Sequence, residues 1–268
     1  RCRPILRPTY PEIQKNLHKT RYAMVCEGEV INFIYFEFLE NKIDFIIVNG
    51  ENAADGMGLT EKMYKEILAL NVNCVTMGNH TWGKKEIFNF IDHKNIIRPA
   101  NYSANNPGKG YDIYECKGKH IAVINLIGRT TMPVLSENPF TVAKDIIEEI
   151  KHAVDIIVVD FHAEATAEKI ALSYYLDGDV TVVYGTHTHV QTADETILEK
   201  GTGYITDIGM TGPKKSVIGM DVDASIKRFE TSLPEKYKIA EGKAKFNSCM
   251  FEIDDNTNKV KSITRINA

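Results

Sequence analysis

Four histidines, one glutamate and two asparagines stand just beyond short apolar runs, and their types are those of a hydrolytic metal centre. The run Phe45–Val48 leads to Asn49-Gly50-Glu51-Asn52, and Val72–Met77 leads to Gly78-Asn79-His80. Asp155–Val159 leads to Asp160-Phe161-His162, and Val180–Tyr184 to Gly185-Thr186-His187-Thr188-His189. Ligands of α/β sheets bind beyond the carboxyl ends of the strands, so these four loops should meet at one edge. Imidazole nitrogen, carboxylate oxygen and amide oxygen together suit borderline or hard divalent metals. A carboxylate such as Glu51 can bridge two metals about 3.5–4 Å apart, close enough to activate one water between them. An extended backbone at His187-x-His189 would point both imidazoles one way. An irregular turn would hand one to each metal. Glycines at 50, 78 and 185 let the chain turn sharply before each ligand set.

Each residue alone has an ordinary reading. His80 or His162 by itself is a hydrogen-bonded structural histidine, and Asn52 a turn residue or helix cap. An isolated H-x-H is a weak signal. The weight lies in four separate strand-end loops all carrying ligand types.

The elements that must hold these loops alternate in type from residue 43 onward. Beside the four runs, His120–Leu126 reads as a strand and Gly203–Thr206 as a short one. Between them lie helix-period segments. Thr60 is placed as an N-cap before Met63, Ile67 and Leu70. Ile87, Phe90 and Ile91 mark a second amphipathic helix, and Val142, Ile146 and Ile150 a third. Continuous β-branched runs between helices predict strands buried on both faces, hence an α/β fold. At the tail, Ser248–Ile253 and Val260–Ile263 flank a polar turn over 254–258, a hairpin pattern. No linker, charge block or internal repeat interrupts 43–268, which reads as one domain after an atypical segment 1–42.

The composition is that of an ordinary globular chain. Of 268 residues 43% are hydrophobic and 25% charged, which excludes a disordered chain. The formal charge of −4 offers no general pull toward long nucleic acid or an anionic membrane. Five scattered cysteines without a C-x-x-C pair fit neither a disulfide framework nor a zinc-thiolate site, and suit a reducing cytoplasm. Ile31–Leu39 is about half a membrane span in length and contains Glu37. No signal peptide is recognisable, and the opening Arg1 reads as a fragment edge.

Other candidates carry less. His18 and His93 sit in polar surroundings and read as surface residues. His152 closes a helix, where a cation suits the dipole. His120 begins a strand with no obvious partner. Arg98 and Arg129 are placed either as phosphate clamps or as surface salt-bridge partners. No G-x-S-x-G and no Gly-rich P-loop occurs.

The strings NGENAADGMGLT (49–60), TMGNHTW (76–82), RPAN (98–101), NLIGR (125–129), DFHAEATAEK (160–169), GTHTHVQTAD (185–194) and YITDIGMTGP (204–213) are long and specific. With them the sequence resembles the calcineurin-like metallophosphoesterases, in particular the YmdB-like group of bacterial cyclic-nucleotide phosphodiesterases. The resemblance runs from about residue 43 to the C-terminus. It implies an α/β/β/α sandwich holding two iron or manganese ions. It further implies that Glu51 bridges the metals, with Asn52 and His189 on one of them. Asn79, His162 and His187 would hold the other, and His80 would be the proton donor. The implied activity is hydrolysis of 2′,3′-cyclic nucleotides, other phosphodiesters being possible substrates. Self-association into a homo-oligomer is implied as well.

The start departs from the family pattern. There a first strand ends in Gly-Asp, and the Asp is a ligand of the first metal. The nearest match here is Gly28-Glu29, so Glu29 serves as a longer ligand or the first strand is altered or missing. That departure favours a competing reading, a catalytically impaired nucleotide- or metal-binding regulatory protein. Among enzymes the runner-up is a phosphomonoesterase such as a nucleotidase.

Overall fold

The computed structural model describes the backbone of residues 21–25, and residues 43–236 and 238–268. Glu29 and His18 lie outside the described residues.

Side-chain alternation along the strands builds a four-layer sandwich. In β2 (Phe45–Asn49), Phe45 and Ile47 enter one apolar cluster while Ile46 and Val48 enter another. β6 (Lys119–Ile127) and β7 (Ile156–His162) do the same in a second sheet. Their Val123 and Val158 join the cluster of Phe45 and Ile47, while Ile124 and Val159 face the opposite way. The shared cluster is therefore the layer between two sheets, and each outer face must be covered by helices. Residues of α1 (Glu61–Leu68) cover the first sheet, and those of α2 (Pro139–Ile150) and α3 (Thr166–Tyr175) the second. This is the α/β/β/α architecture expected from the sequence.

In the first sheet β1 (Arg21–Val25), β2, β3 (Cys74–Thr76) and β4 (Ile96–Ile97) run parallel. The antiparallel hairpin β13 (Asn247–Ile253) and β14 (Val260–Asn267) extends it from β1, while β11 (Gly212–Pro213) and β12 (Ala244–Lys245) pair separately. In the second sheet β6, β7, β8 (Val182–Thr186) and β10 (Gly203–Ile205) are parallel. Antiparallel β5 (Tyr111–Cys116) and β9 (Thr196–Ile197) form its edges. At the N-terminus a first strand is present. β1 ends with Val25 opposite Val48, at the edge from which Glu51 emerges.

Local chemistry explains several boundaries. The Thr60 hydroxyl caps α1 by accepting the Met63 N–H at 3.3 Å, as the sequence predicts. Asn138 caps α2, with Pro139 at the first helical position where no N–H is needed. The helix expected around Ile87 is a correction. Only a 3₁₀ turn, Lys85–Asn89, forms, because Lys84 offers no side-chain cap and the turns from Gly78 to Gly83 leave little chain. Ile87, Phe90 and Ile91 are nevertheless buried against α1. Strand β5, helix α3 and helix α4 (Val222–Thr231) are not anticipated from the sequence. β5 is an edge strand with mostly half-buried side chains, and α4 spaces Val222, Ile226 and Phe229 at helical intervals but leaves Ile226 and Phe229 exposed.

The outer layer predicts a stability contrast. Ile124→Ala, in the core between β6 and α2, should cost about 2–5 kcal/mol by urea denaturation. Leu135→Ala, at 98% exposure, should stay within about 0.5 kcal/mol of the parent.

Candidate metal centre

The four predicted strand ends do meet, although β7 runs on through His162 instead of giving way to a loop after Val159. Glu51, His162 and His187 bring potential ligand atoms within 4.8 Å of one another. At the focus stands His162 Nε2, which lies 3.0 Å from Glu51 Oε1, 2.9 Å from Asn79 Oδ1 and 3.1 Å from His187 Nδ1.

The hydrogen-bond chain behind His162 determines its tautomer. Asp160 is fully buried in β7, and its carboxylate accepts from the Thr186 hydroxyl at 2.7 Å and the Thr76 hydroxyl at 2.5 Å. Having given its only proton to Asp160, Thr186 Oγ1 must accept from His162 Nδ1–H, 2.9 Å away. His162 Nε2 then presents its lone pair to the focus. On the other side, His187 Nε2 is 3.1 Å from the Glu164 carboxylate. Neutral His187 donating there turns the Nδ1 lone pair inward as well. Two imidazole nitrogens, an amide oxygen and a carboxylate oxygen thus face one point as acceptors, an arrangement that a cation satisfies. The surrounding space fits this reading. A Cβ at Gly78 would collide with Glu51 Oε2 and His162 Nε2, so glycine leaves the cradle open.

A second group adjoins the first through Glu51. The His80 backbone N–H donates to Glu51 Oε2 at 3.0 Å, and His80 Nδ1 lies 2.7 Å from Asn52 Oδ1. Asn52 Nδ2 is 3.4 Å from Glu51 Oε1 and 3.2 Å from His189 Nε2. Exchanging the oxygen and nitrogen of this amide would direct its oxygen toward Glu51 and His189, the arrangement a cation needs.

Between His187 and His189 the backbone takes the irregular course, with φ of +99° and +65°. Such angles are rare away from glycine and need outside support. Asp207 supplies it, accepting the Thr188 N–H at 3.2 Å and the Thr188 hydroxyl at 2.8 Å. Lys169 of α3 pairs with the same carboxylate at 2.9 Å, both residues being buried.

The chain matches the family described as YmdB-like protein over residues 36–266. It is 53% identical over 226 residues to the 2′,3′-cyclic-nucleotide 2′-phosphodiesterase of Bacillus subtilis, spanning 84% of this chain and 85% of that one. The chain belongs to the YmdB-like family. A crystal structure described as a novel phosphatase from Mycoplasma pneumoniae superposes with a TM-score of 0.88 at 36% identity, covering 94% of each chain. A hypothetical protein from Thermus thermophilus gives 0.87 at 35% identity, over 93% of this chain and 99% of that one.

Within this YmdB-like chain, several residues stand differently from the sequence reading. Arg98 is buried and forms no salt bridge among the described residues. Its buried guanidinium donates to the carbonyls of Pro99, Asn106 and Pro107, holding the 99–109 loop. Arg129 is exposed, and its backbone N–H, not its side chain, bonds to Glu168. His120 does have a neighbour, Asp155, 3.8 Å from its ring. Asp160, Glu164, Asp207 and Tyr102 emerge only from the structure. The Tyr102 hydroxyl donates to the Gly78 carbonyl at 3.1 Å, and burial, then the Glu51 charge, push its phenol pKa well up. Asp160 and Glu164 do lie in the string 160–169 and Asp207 in 204–213, but only spatial neighbours reveal whom they orient. Among the described residues, no helix is long and apolar enough to cross a membrane.

Asp160→Asn should break the tautomer chain without emptying the fold of apolar contacts. Calorimetric titration with Mn²⁺ should show affinity about 10–100-fold weaker. Thr186→Val should weaken it in the same direction.

Proposed function

We propose that the chain is a metal-dependent phosphodiesterase that opens 2′,3′-cyclic nucleotides, using two iron or manganese ions. The convergence of acceptor ligand atoms beside His80 carries this reading, and the name of the Bacillus subtilis relative supplies the substrate class. Glu51, Asn79, His162 and His187 would hold one ion, and Glu51, Asn52 and His189 the other. Such a pair supplies Lewis acidity to the phosphoryl group and lowers the pKa of the attacking water.

The chain's own residues do the rest. Glu51 joins the two groups, each of its oxygens already facing a different set of partners. His80 accepts orientation from Asn52 through Nδ1, leaving Nε2 to deliver a proton to the departing ribose oxygen. Asp160 and Glu164 hold the two histidines of one group in the metal-binding tautomer. Buried Tyr102 steadies the Gly78 carbonyl at the base of the Asn79-His80 turn.

The free thiols of Cys74, Cys116 and Cys249 suit a reducing compartment such as the cytoplasm. The phosphatase description of the Mycoplasma pneumoniae structure favours one second reading, phosphomonoester hydrolysis by the same residues.

Metal-loaded protein should hydrolyse 2′,3′-cyclic AMP, faster than it hydrolyses AMP, and EDTA should abolish the activity. No chelator-sensitive turnover across a panel of phosphodiesters would refute the proposal. His80→Ala should lower turnover by about 10²–10⁴ with metal content retained, whereas His187→Ala should lose metal on elemental analysis.

Metal titration should fill the sites unequally. The group around His162 has four protein donors, while that around His189 has Glu51, Asn52 and His189 among the described residues. One equivalent should bind tightly and the second only at higher metal, with activity following the second. Two equally tight metals would assign a further anionic ligand to the His189 side.

A further inference from the structure

The two ring nitrogens of His189 have different neighbours. Nε2 lies 3.2 Å from Asn52 Nδ2, and Nδ1 lies 3.0 Å from the carbonyl oxygen of Ile218. A carbonyl oxygen can only accept, so Nδ1 carries the proton, and Nε2 of the neutral ring keeps its lone pair for the metal group. The residue that supplies this carbonyl is strained. Ile218 has a φ of +46°, and a β-branched side chain in the left-handed region is an outlier. Such a conformation persists only where the surroundings impose it, and it marks places where geometry serves function. Burial of the side chain does not account for it, because Ile218 is 51% exposed. What the conformation delivers is a carbonyl aimed at His189.

The chain around Ile218 is built to hold that turn. Val217 and Met220 exchange two backbone hydrogen bonds across it, both of 2.9 Å. The Ser216 hydroxyl accepts the Gly219 N–H at 3.0 Å and donates to the Pro213 carbonyl at 2.7 Å. On either side of Ile218 the segment is tied to a neighbouring stretch. The Lys214 N–H donates to the Lys243 carbonyl at 2.8 Å, and the Ala240 N–H to the Gly219 carbonyl at 3.0 Å. We propose that residues 213–220 form a strap whose Ile218 carbonyl is the positioning group of the His189 metal site. It sets the tautomer and direction of the ring, and with them the affinity for the second ion, so the inference rests on the two-metal reading above. Partners behind a ligating histidine commonly have this role. In the His162 group it falls to side chains, Thr186 with Asp160 and Glu164, whereas here a backbone atom performs it.

A backbone role has its own mutational signature, because the side chain at 218 then matters only through the φ it permits. Proline locks φ near about −65° and turns the carbonyl away, whereas glycine and asparagine accept the left-handed region. The test is a calorimetric titration of the full chain with Mn²⁺, the first equivalent serving as an internal control for folding. Ile218→Pro should weaken the second equivalent by about 10–100-fold and leave the first unchanged. Ile218→Asn and Ile218→Gly should both stay near the parent. Because proline can distort the strap more widely, Ser216→Ala provides a second arm. It removes the hydroxyl that holds the turn and should weaken the second ion several-fold, while Ser216→Thr, which keeps a hydroxyl, should restore it. A second equivalent untouched by proline, or weakened as much by asparagine as by proline, would overturn the proposal. A parent chain with no second equivalent would overturn it too. No turnover enters the titration, so the two readings fail separately. The proline signature in a chain that hydrolyses no cyclic nucleotide would remove the activity and keep the strap, while hydrolysis without that signature would do the reverse.

Discussion

Acceptor lone pairs held about 3 Å apart are the constraint to which the rest of the structure answers. Glu51 Oε1, Asn79 Oδ1 and His187 Nδ1 all crowd His162 Nε2. Without a cation such groups repel one another, and a flexible chain would turn them aside. The central one stays because it is fixed from behind by bonds shielded from water. His162 is fully buried, and its far nitrogen is committed through Thr186 to Asp160. Asp160 in turn gathers hydroxyls from both sheets, Thr76 from β3 and Thr186 from β8. One carboxylate therefore ties the two sheets together at the edge where the ligands project. Burying that charge is tolerable because charge-assisted hydrogen bonds to hydroxyls replace its water.

The sandwich explains why the site lies at that edge. Parallel strands put all their carboxyl ends together, and the interior layer of Phe45, Val123, Val158 and Val182 admits no polar loop. Chemistry-bearing side chains must stand where the strands stop. Glycines stand at two of these exits for a steric reason. At Gly78 a side chain would occupy the ligand space itself, and at Gly185 it would strike the Thr206 carbonyl. Glycine at these exits is thus a packing requirement as much as a conformational one.

Strand-end chemistry is legible in the sequence because it is local. The residues that follow each apolar run are visible in order, and the alternation of buried runs and helical stripes gives the layers. Residues that act across the chain are not legible in this way. Nothing in sequence order joins Asp160 to Thr76, 84 positions away, or Glu164 to His187. Arg98 illustrates the same limit from the other direction. A guanidinium near candidate ligands suggests phosphate, but its three nitrogens each donate to a carbonyl of its own loop. The helix expected at Ile87 fails because apolar spacing reports burial, and burial is correct, while the missing cap and short length that prevent a helix are set by the neighbouring turns.

The His187-Thr188-His189 turn shows how a cost in stability is confined to where it serves geometry. Two non-glycine residues at positive φ cost about 1–3 kcal/mol each in conformational strain. A buried Lys169–Asp207 pair is itself no strong stabiliser, since desolvation consumes much of its attraction. Its value here is directional. Asp207 can hold the Thr188 N–H and hydroxyl only if its charge stays balanced in a dry interior, and Lys169 supplies that balance from α3. Replacing the pair with hydrocarbon would fill the same volume and leave Thr188 unheld. The strained turn would then relax toward an extended course, pointing both imidazoles the same way. The ion pair is thus best understood as what keeps one histidine facing His162 while the other faces Asn52.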